Sequence, residues 1–269
     1  MGESWWGKSE VRVSKIHRGP KQDDFTDLTV QIQLGNDAEA THTVGDNSTV
    51  LPTDTMRNTV YGLAQEHLTR DLEAFVMVLG ERFMDRPDVD RARVSAVERR
   101  WERLTGTGFV GGGSERKTAR VALGTGETGV WAGIEGLIVL KTTGSAFSGF
   151  PHDEFTILRE ADDRLLATSV TAEWSYDTVP ADTAAAWEAA RAALVASFFD
   201  EGSASLQHQG WMMAAAVLGA VPEITEITLR LPNQHHLSFD LTRFGMIDQG
   251  LVFHPVSEPY GDIRITVER

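Results

Sequence analysis

The sequence predicts an α+β fold in which antiparallel strands carry helices on one face. Three features point there: runs that alternate apolar and polar residues, paired segments with helical apolar spacing between them, and one order of elements met twice. Residues 10–18, EVRVSKIHR, alternate. Residues 25–34 place Leu28, Val30, Ile32 and Leu34 on one face, and the Gly19-Pro20 turn joins the two runs as half-buried strands. Spacing turns helical over 59–83, with a break near 67–71, and 85–90 punctuate the pattern. Strands are expected again at 92–104 and 117–123, on either side of a turn-rich stretch at 105–114.

The second half repeats that order. Strands are expected at 136–142 and 164–174, separated by a long connection over 143–163. A helix at 182–200 carries Trp187, Ala190, Leu194 and Phe198 on one stripe, and a second occupies 205–220. Strands return at 223–231 and 235–242. Two tandem ββααββ units are therefore expected, residues 1–130 and 131–269. Four strands per unit leave open edges, and joining the sheets of several copies into a barrel removes them, so an oligomer is expected.

Composition narrows the partners. Lys and Arg number 25 against 39 Asp and Glu, a formal net charge of −14, which repels nucleic acid and anionic membrane. Any anionic ligand needs local Arg or Lys. With no cysteine among 269 residues, disulfides, thiolate nucleophiles and cysteine-based zinc sites are excluded. No run approaches the roughly 20 apolar residues of a membrane span, and the chain ends Val267-Glu268-Arg269, unlike a peroxisomal Ser-Lys-Leu tail. A cytoplasmic protein is expected.

The stretch LPTDTMRNTVYGLA at 51–64 crowds hydroxyls and a carboxylate before an apolar run. Asp54 or Thr55 is expected to cap the helix, which frees the Thr53 hydroxyl, just ahead, to face a ligand. The Asp54 amide would then lie where a helix N-terminus favours an anion.

Six segments together resemble urate oxidase, the cofactor-independent uricase family with the tunnelling, or T-fold, architecture. They are WGKSEVRVSKIHR (6–18), DNSTVLPTDTMRNTVY (46–61), LKTTGSAFSGFPHDEFTIL (140–158), DRLLATSVTAEW (163–174), SASLQ (203–207) and LPNQHHLSFDL (231–241). The resemblance implies a homotetramer that oxidises urate with O2 and water to 5-hydroxyisourate and hydrogen peroxide, with no cofactor or metal. It implies Lys8 and Thr53 as the catalytic pair and Phe147 as the ring stacked on substrate. Arg164 and Gln207 become in-plane clamps, and the Leu206 backbone amide a substrate contact beside Asp54. Asn233 and His235 would border the oxygen site and support the pair. Lys8 and Thr53 would come from one subunit, and Phe147, Arg164, Gln207, Asn233 and His235 from its neighbour.

The residue types suit a flat anion rimmed with carbonyl and N–H groups, which needs an aromatic face, planar hydrogen-bonding forks and a cation. A buried Lys8 could relay a proton through Thr53 and so ease electron loss from the purine. Each residue also has an ordinary reading. Lys8 could be a solvated lysine, Phe147 a core aromatic, Arg164 the surface ion-pair partner of Asp162 or Asp163, Gln207 a solvated helix residue and Asn233 a turn residue. The adjacent rings of His235 and His236 face opposite ways on a strand and cannot share a metal ion. Related T-fold enzymes that act on pterins or GTP with a histidine-bound zinc are a rival reading, and a silent purine-binding oligomer is another.

Overall fold

Leu28, Val30, Ile32 and Leu34 have no exposed surface, and they mark the buried face of β2 (Asp24–Gly35). In the computed structural model, which describes residues 3–37, 39–200 and 202–269, β2 lies in one antiparallel sheet of eight strands. Its order is β1 (Trp6–His17), β2, β3 (Arg91–Arg103), β4 (Phe109–Gly124), β5 (Gly129–Lys141), β6 (Leu166–Tyr176), β7 (Ile224–Pro232) and β10 (Asp262–Glu268). Four helices cover the apolar face. α2 (Thr53–His67) packs on β1, α3 (Leu72–Met84) on β3 and β4, α4 (Thr183–Asp200) on β5, and α5 (Leu206–Ala220) on β7 and β10. The expected stripe of α4 is the buried one: Trp187, Ala190, Leu194 and Phe198. Trp187 satisfies its indole N–H by donating to the Gly133 carbonyl at 2.9 Å. Among the described residues no helix is long and apolar enough to cross a membrane.

The departures from the sequence reading have local causes. β4 begins at Phe109, not at 117, because Gly111 pairs with Trp101 after a bulge between Arg99 and Trp101. Glycine permits this ladder: a Cβ on Gly112 would lie 3.1 Å from the Arg100 carbonyl oxygen. β5 begins at Gly129, not at 136. Its alternation changes phase at a bulge between Ile134 and Leu137, where Gly136 takes φ 68, so the pattern reads only from the bulge onward.

The fourth strand of the second half is corrected outright. Residues 235–242 do not join the main sheet. β8 (His235–Ser238) pairs with β9 (Phe253–Val256) in a separate ribbon, and β10 takes the place beside β7 over seven paired residues. A five-residue helix, α1 (Glu39–Thr43), was not expected.

The expected cap of α2 is also overturned. The helix starts at Thr53, Pro52 is the N-cap with φ −56, and no side chain caps the end. Proline presets that φ and its carbonyl accepts from the Thr55 and Met56 amides at 2.9 and 3.3 Å, so no carboxylate is needed there. Asp54 instead pairs with Arg57 at 2.7 Å and accepts from Asn58 at 3.2 Å.

Two carboxylates lie in the layer between sheet and helices. Glu73 of α3, with no exposed surface, meets Lys117 of β4 at 2.7 Å. Burial pushes the Glu98 carboxyl above its ordinary 4.5, and Lys117 and Arg100 only partly oppose this. A carboxyl raised in the folded state favours folding below its unfolded pKa, and that contribution is lost as pH rises through the folded value. Glu98→Gln is therefore expected to raise the melting temperature at pH 8 and to lose that gain toward pH 4, as thermal unfolding at the two pH values will show.

Candidate functional site

The connection between β5 and β6 is held by its own backbone. Phe147 and Ala161 exchange N–H···O bonds of 2.7 and 2.9 Å, and the Arg164 amide donates to the Ser145 carbonyl at 2.7 Å. Asp163 accepts from the Gly144 and Ser145 amides at 2.7 and 3.3 Å and from the Thr143 hydroxyl. These bonds, the Thr143 hydroxyl foremost, hold its carboxyl below the usual range.

Since Asp163 is engaged in this turn, it does not neutralise Arg164. The guanidinium lies over the Phe147 ring, 5.1 Å from its centroid, and Phe147 stacks on Phe150 at 4.9 Å and 17°. Nε of Arg164 is buried and has no hydrogen-bond partner among the described residues. Burial alone lowers its pKa, with no carboxylate acting against that effect. A cation in this condition is costly unless something anionic or carbonyl-rich completes it. The surface ion-pair reading of Arg164 is thereby set aside.

The N-terminal end of α5 is lashed to the same connection. The Ala146 amide donates to the Ser203 carbonyl at 2.7 Å, and the Ser203 amide to the Gly144 carbonyl at 2.9 Å. Ser205 caps α5 by accepting from the His208 amide at 3.0 Å. Leu206 is buried in the first turn, and Gln207 is exposed beside it. Ser145 and Ser203 are both buried, with hydroxyls unpartnered among the described residues, and the sequence reading missed them, as it missed the turn-forming role of Asp163. Only paired placement reveals these residues.

Asn233 follows β7 and bridges to Thr168 of β6, four residues beyond Arg164. The Thr168 hydroxyl donates to the Pro232 carbonyl at 2.9 Å, and the Gln234 amide to the Ala167 carbonyl at 2.8 Å. Nδ2 of Asn233 is 3.4 Å from Nδ1 of His235, and both residues line a groove of about 580 Å³. His236 turns to the Gln234 carbonyl instead, at 3.0 Å, so the two histidine rings have different partners.

Lys8 and Thr53 stand elsewhere. Lys8, half-buried, lies opposite Ile32 at the outer edge of the sheet, just before a bulge at which Glu10 takes φ 58. The Trp6 indole donates to the Leu51 carbonyl at 3.0 Å, tying the start of β1 to the segment that leads into α2. This bond joins the residues two before Lys8 and two before Thr53. Thr53 and Asp54 are exposed at the first turn.

From β1 to β6 there are five strand spacings, roughly 24 Å along the sheet. One chain thus holds two separate groups of candidates: Lys8, Thr53 and Asp54 at the β1 edge, and Phe147, Arg164, Leu206, Gln207, Asn233 and His235 around β5 to β7.

A family model described as Uricase matches residues 5–127 and 130–264. The chain belongs to the uricase family. It is 41% identical to the uricase of Arthrobacter globiformis over all of this chain and 90% of that relative, and 34% identical to that of Dictyostelium discoideum over 98% and 96%. The crystal structure of the A. globiformis uricase superposes with a TM-score of 0.95 at 40% identity, covering 100% of this chain and 94% of the other. A urate oxidase structure from Bacillus sp. TB-90 has a TM-score of 0.86 at 21% identity, covering 99% and 100%, and shows the shared fold alone. In this chain Phe147 and Arg164 lie in the connection between β5 and β6, whereas Lys8 and Thr53 lie on β1 and α2, two elements linked by the Trp6-to-Leu51 hydrogen bond.

Proposed function

We propose that this urate oxidase forms each active site from two copies of the chain, Lys8, Thr53 and Asp54 from one and the Phe147 to His235 group from the other. The observation that carries this reading is the half-buried Arg164 guanidinium, its buried Nε unpartnered among the described residues and its plane laid over Phe147, with the acid–base candidates five strands away. A planar anion would stack on Phe147 and accept in its plane from Arg164 and Gln207. Thr53, activated by Lys8, would take a proton from it. The more electron-rich ring would then pass two electrons to O2 held near Asn233 and His235. Water adds to the oxidised ring, and urate, O2 and H2O become 5-hydroxyisourate and H2O2.

Exposed apolar side chains support burial between copies. Phe155 and Ile157 in the β5–β6 connection are 83% and 95% exposed, and Ile247, near the β8–β9 ribbon, is 84% exposed, far from ordinary for such residues in a lone chain. Among the described residues the edges at β1 and β10 are also unpaired, as a strand of another copy requires. We read the chain as two fused units, 1–130 and 131–269, assembled into a tetramer, and place it in the cytosol on its acidic, cysteine-free composition.

Purified protein in air should consume urate and release an equal amount of peroxide, unchanged by a chelator, and it should sediment as a tetramer. Turnover abolished by the chelator, or a fully active monomer, contradicts the proposal.

A further inference from the structure

Lys141 ends β5 and is only 8% exposed, in a position to which the proposed chemistry assigns no task. Among its contacts, Nζ donates to Oε1 of Gln209 at 2.7 Å and lies 5.3 Å from the centre of the Phe198 ring. Gln209 has no exposed surface, and its Nε2 donates to the Ser197 carbonyl of α4 at 3.0 Å. Gln209 is the fourth residue of α5, two beyond Gln207 and three beyond Leu206. The chain Lys141–Gln209–Ser197 therefore joins the end of β5, the first turn of α5 and the last turns of α4. Four residues after Lys141 comes Ser145, whose carbonyl holds the Arg164 amide.

A buried ammonium is a poor choice for simple packing. Desolvation lowers the pKa of Lys141, with the charge of Asp163 opposing it, and an apolar residue of similar length would fill the same space without that cost. What the lysine adds is direction, since it fixes one face of the first turn of α5 against the strand that leads into the Phe147 and Arg164 connection.

We infer that Lys141 is a positioning residue for substrate binding: through Gln209 it sets the Leu206 amide and the Gln207 side chain at the height of the Phe147 ring and the Arg164 fork. The inference rests on the proposed site. An in-plane clamp displaced by about 1 Å loses its hydrogen bonds to the ligand, while the proton relay on the other copy is untouched.

The test compares native protein, Lys141→Met, Gln209→Leu and Gln209→Glu in steady-state urate kinetics. Lys141→Met and Gln209→Leu are expected to raise KM at least about tenfold with kcat within about threefold. Gln209→Glu keeps an acceptor for the ammonium but gives up the N–H donated to the Ser197 carbonyl, so its KM should lie between those of native protein and Gln209→Leu. A purely structural role would lower the melting temperature and the active fraction and leave KM alone, and that result overturns the inference. If Lys141→Met does not fold, the Gln209 pair decides: equal KM values for Leu and Glu overturn it. Equilibrium dialysis of urate under nitrogen reads the same shift as a change in Kd without turnover. The positioning role is thus decided even for a protein that leaves urate unchanged in air, an outcome that would overturn the proposed function instead.

Discussion

Thr53→Ala should lower kcat for urate by at least about 100-fold, the loss expected when a positioned proton-transfer group is removed. The melting temperature should stay within about 2 °C of native. The second half of this expectation follows from the observed helix start. Pro52 is the N-cap, no side chain caps α2, and Thr53 is exposed, so its hydroxyl carries no folding task. Had Thr53 been a capping residue, its removal would have cost about 1 kcal/mol of stability. Kinetics and thermal unfolding on the same preparation separate the two roles, and a variant with near-native turnover removes Thr53 from the chemistry.

Arg164→Ala is expected to act on the other side of the site and on the other constant. Two charge-assisted hydrogen bonds to a planar anion are together worth about 3–4 kcal/mol, so KM should rise on the order of 100-fold to 1000-fold. The free protein should lose little stability. The substitution removes a half-buried guanidinium whose buried Nε has no partner among the described residues, which offsets the lost contact with the Phe147 ring. Arg164→Lys keeps the charge but not the fork, and its KM should fall between native and Ala. An unchanged KM in Arg164→Ala would leave the aromatic-and-guanidinium group without a ligand-binding role.

Much of this fold was legible in the sequence wherever a single period ran unbroken, as in Leu28 to Leu34 of β2 or the Trp187 to Phe198 stripe of α4. Legibility failed where the backbone shifts phase. At Gly136 and between Arg99 and Trp101 a bulge inserts residues into the ladder, and an alternation rule then sees only one side of each break. The last strand failed for another reason. Residues 235–238 and β10 both alternate, and only long-range pairing with β7 decides which enters the main sheet.

The candidate site was legible as residue types and not as geometry. Locally, Arg164 beside Asp162 and Asp163 looks like a surface ion pair. What separates the readings is that the Asp163 carboxylate is taken by the Gly144 and Ser145 amides and the Thr143 hydroxyl. Likewise Lys8 and Thr53 lie in different elements with nothing local to link them. The Trp6-to-Leu51 hydrogen bond joins those elements, and no spacing rule anticipates it.

The central claim is that each site is shared between two copies, and mixing two inactive variants tests it most directly. Thr53→Ala retains an intact Phe147 and Arg164 group, and Arg164→Ala retains an intact Lys8 and Thr53 pair. Co-expressed in equal amounts, they should assemble hybrids in which about a quarter of the sites take both intact halves from different copies. Urate turnover should then return to roughly a quarter of the native rate with a native KM, although each variant alone is nearly silent. If the co-assembled mixture is no more active than the sum of its separate components, both halves of the site belong to one chain and the account is wrong.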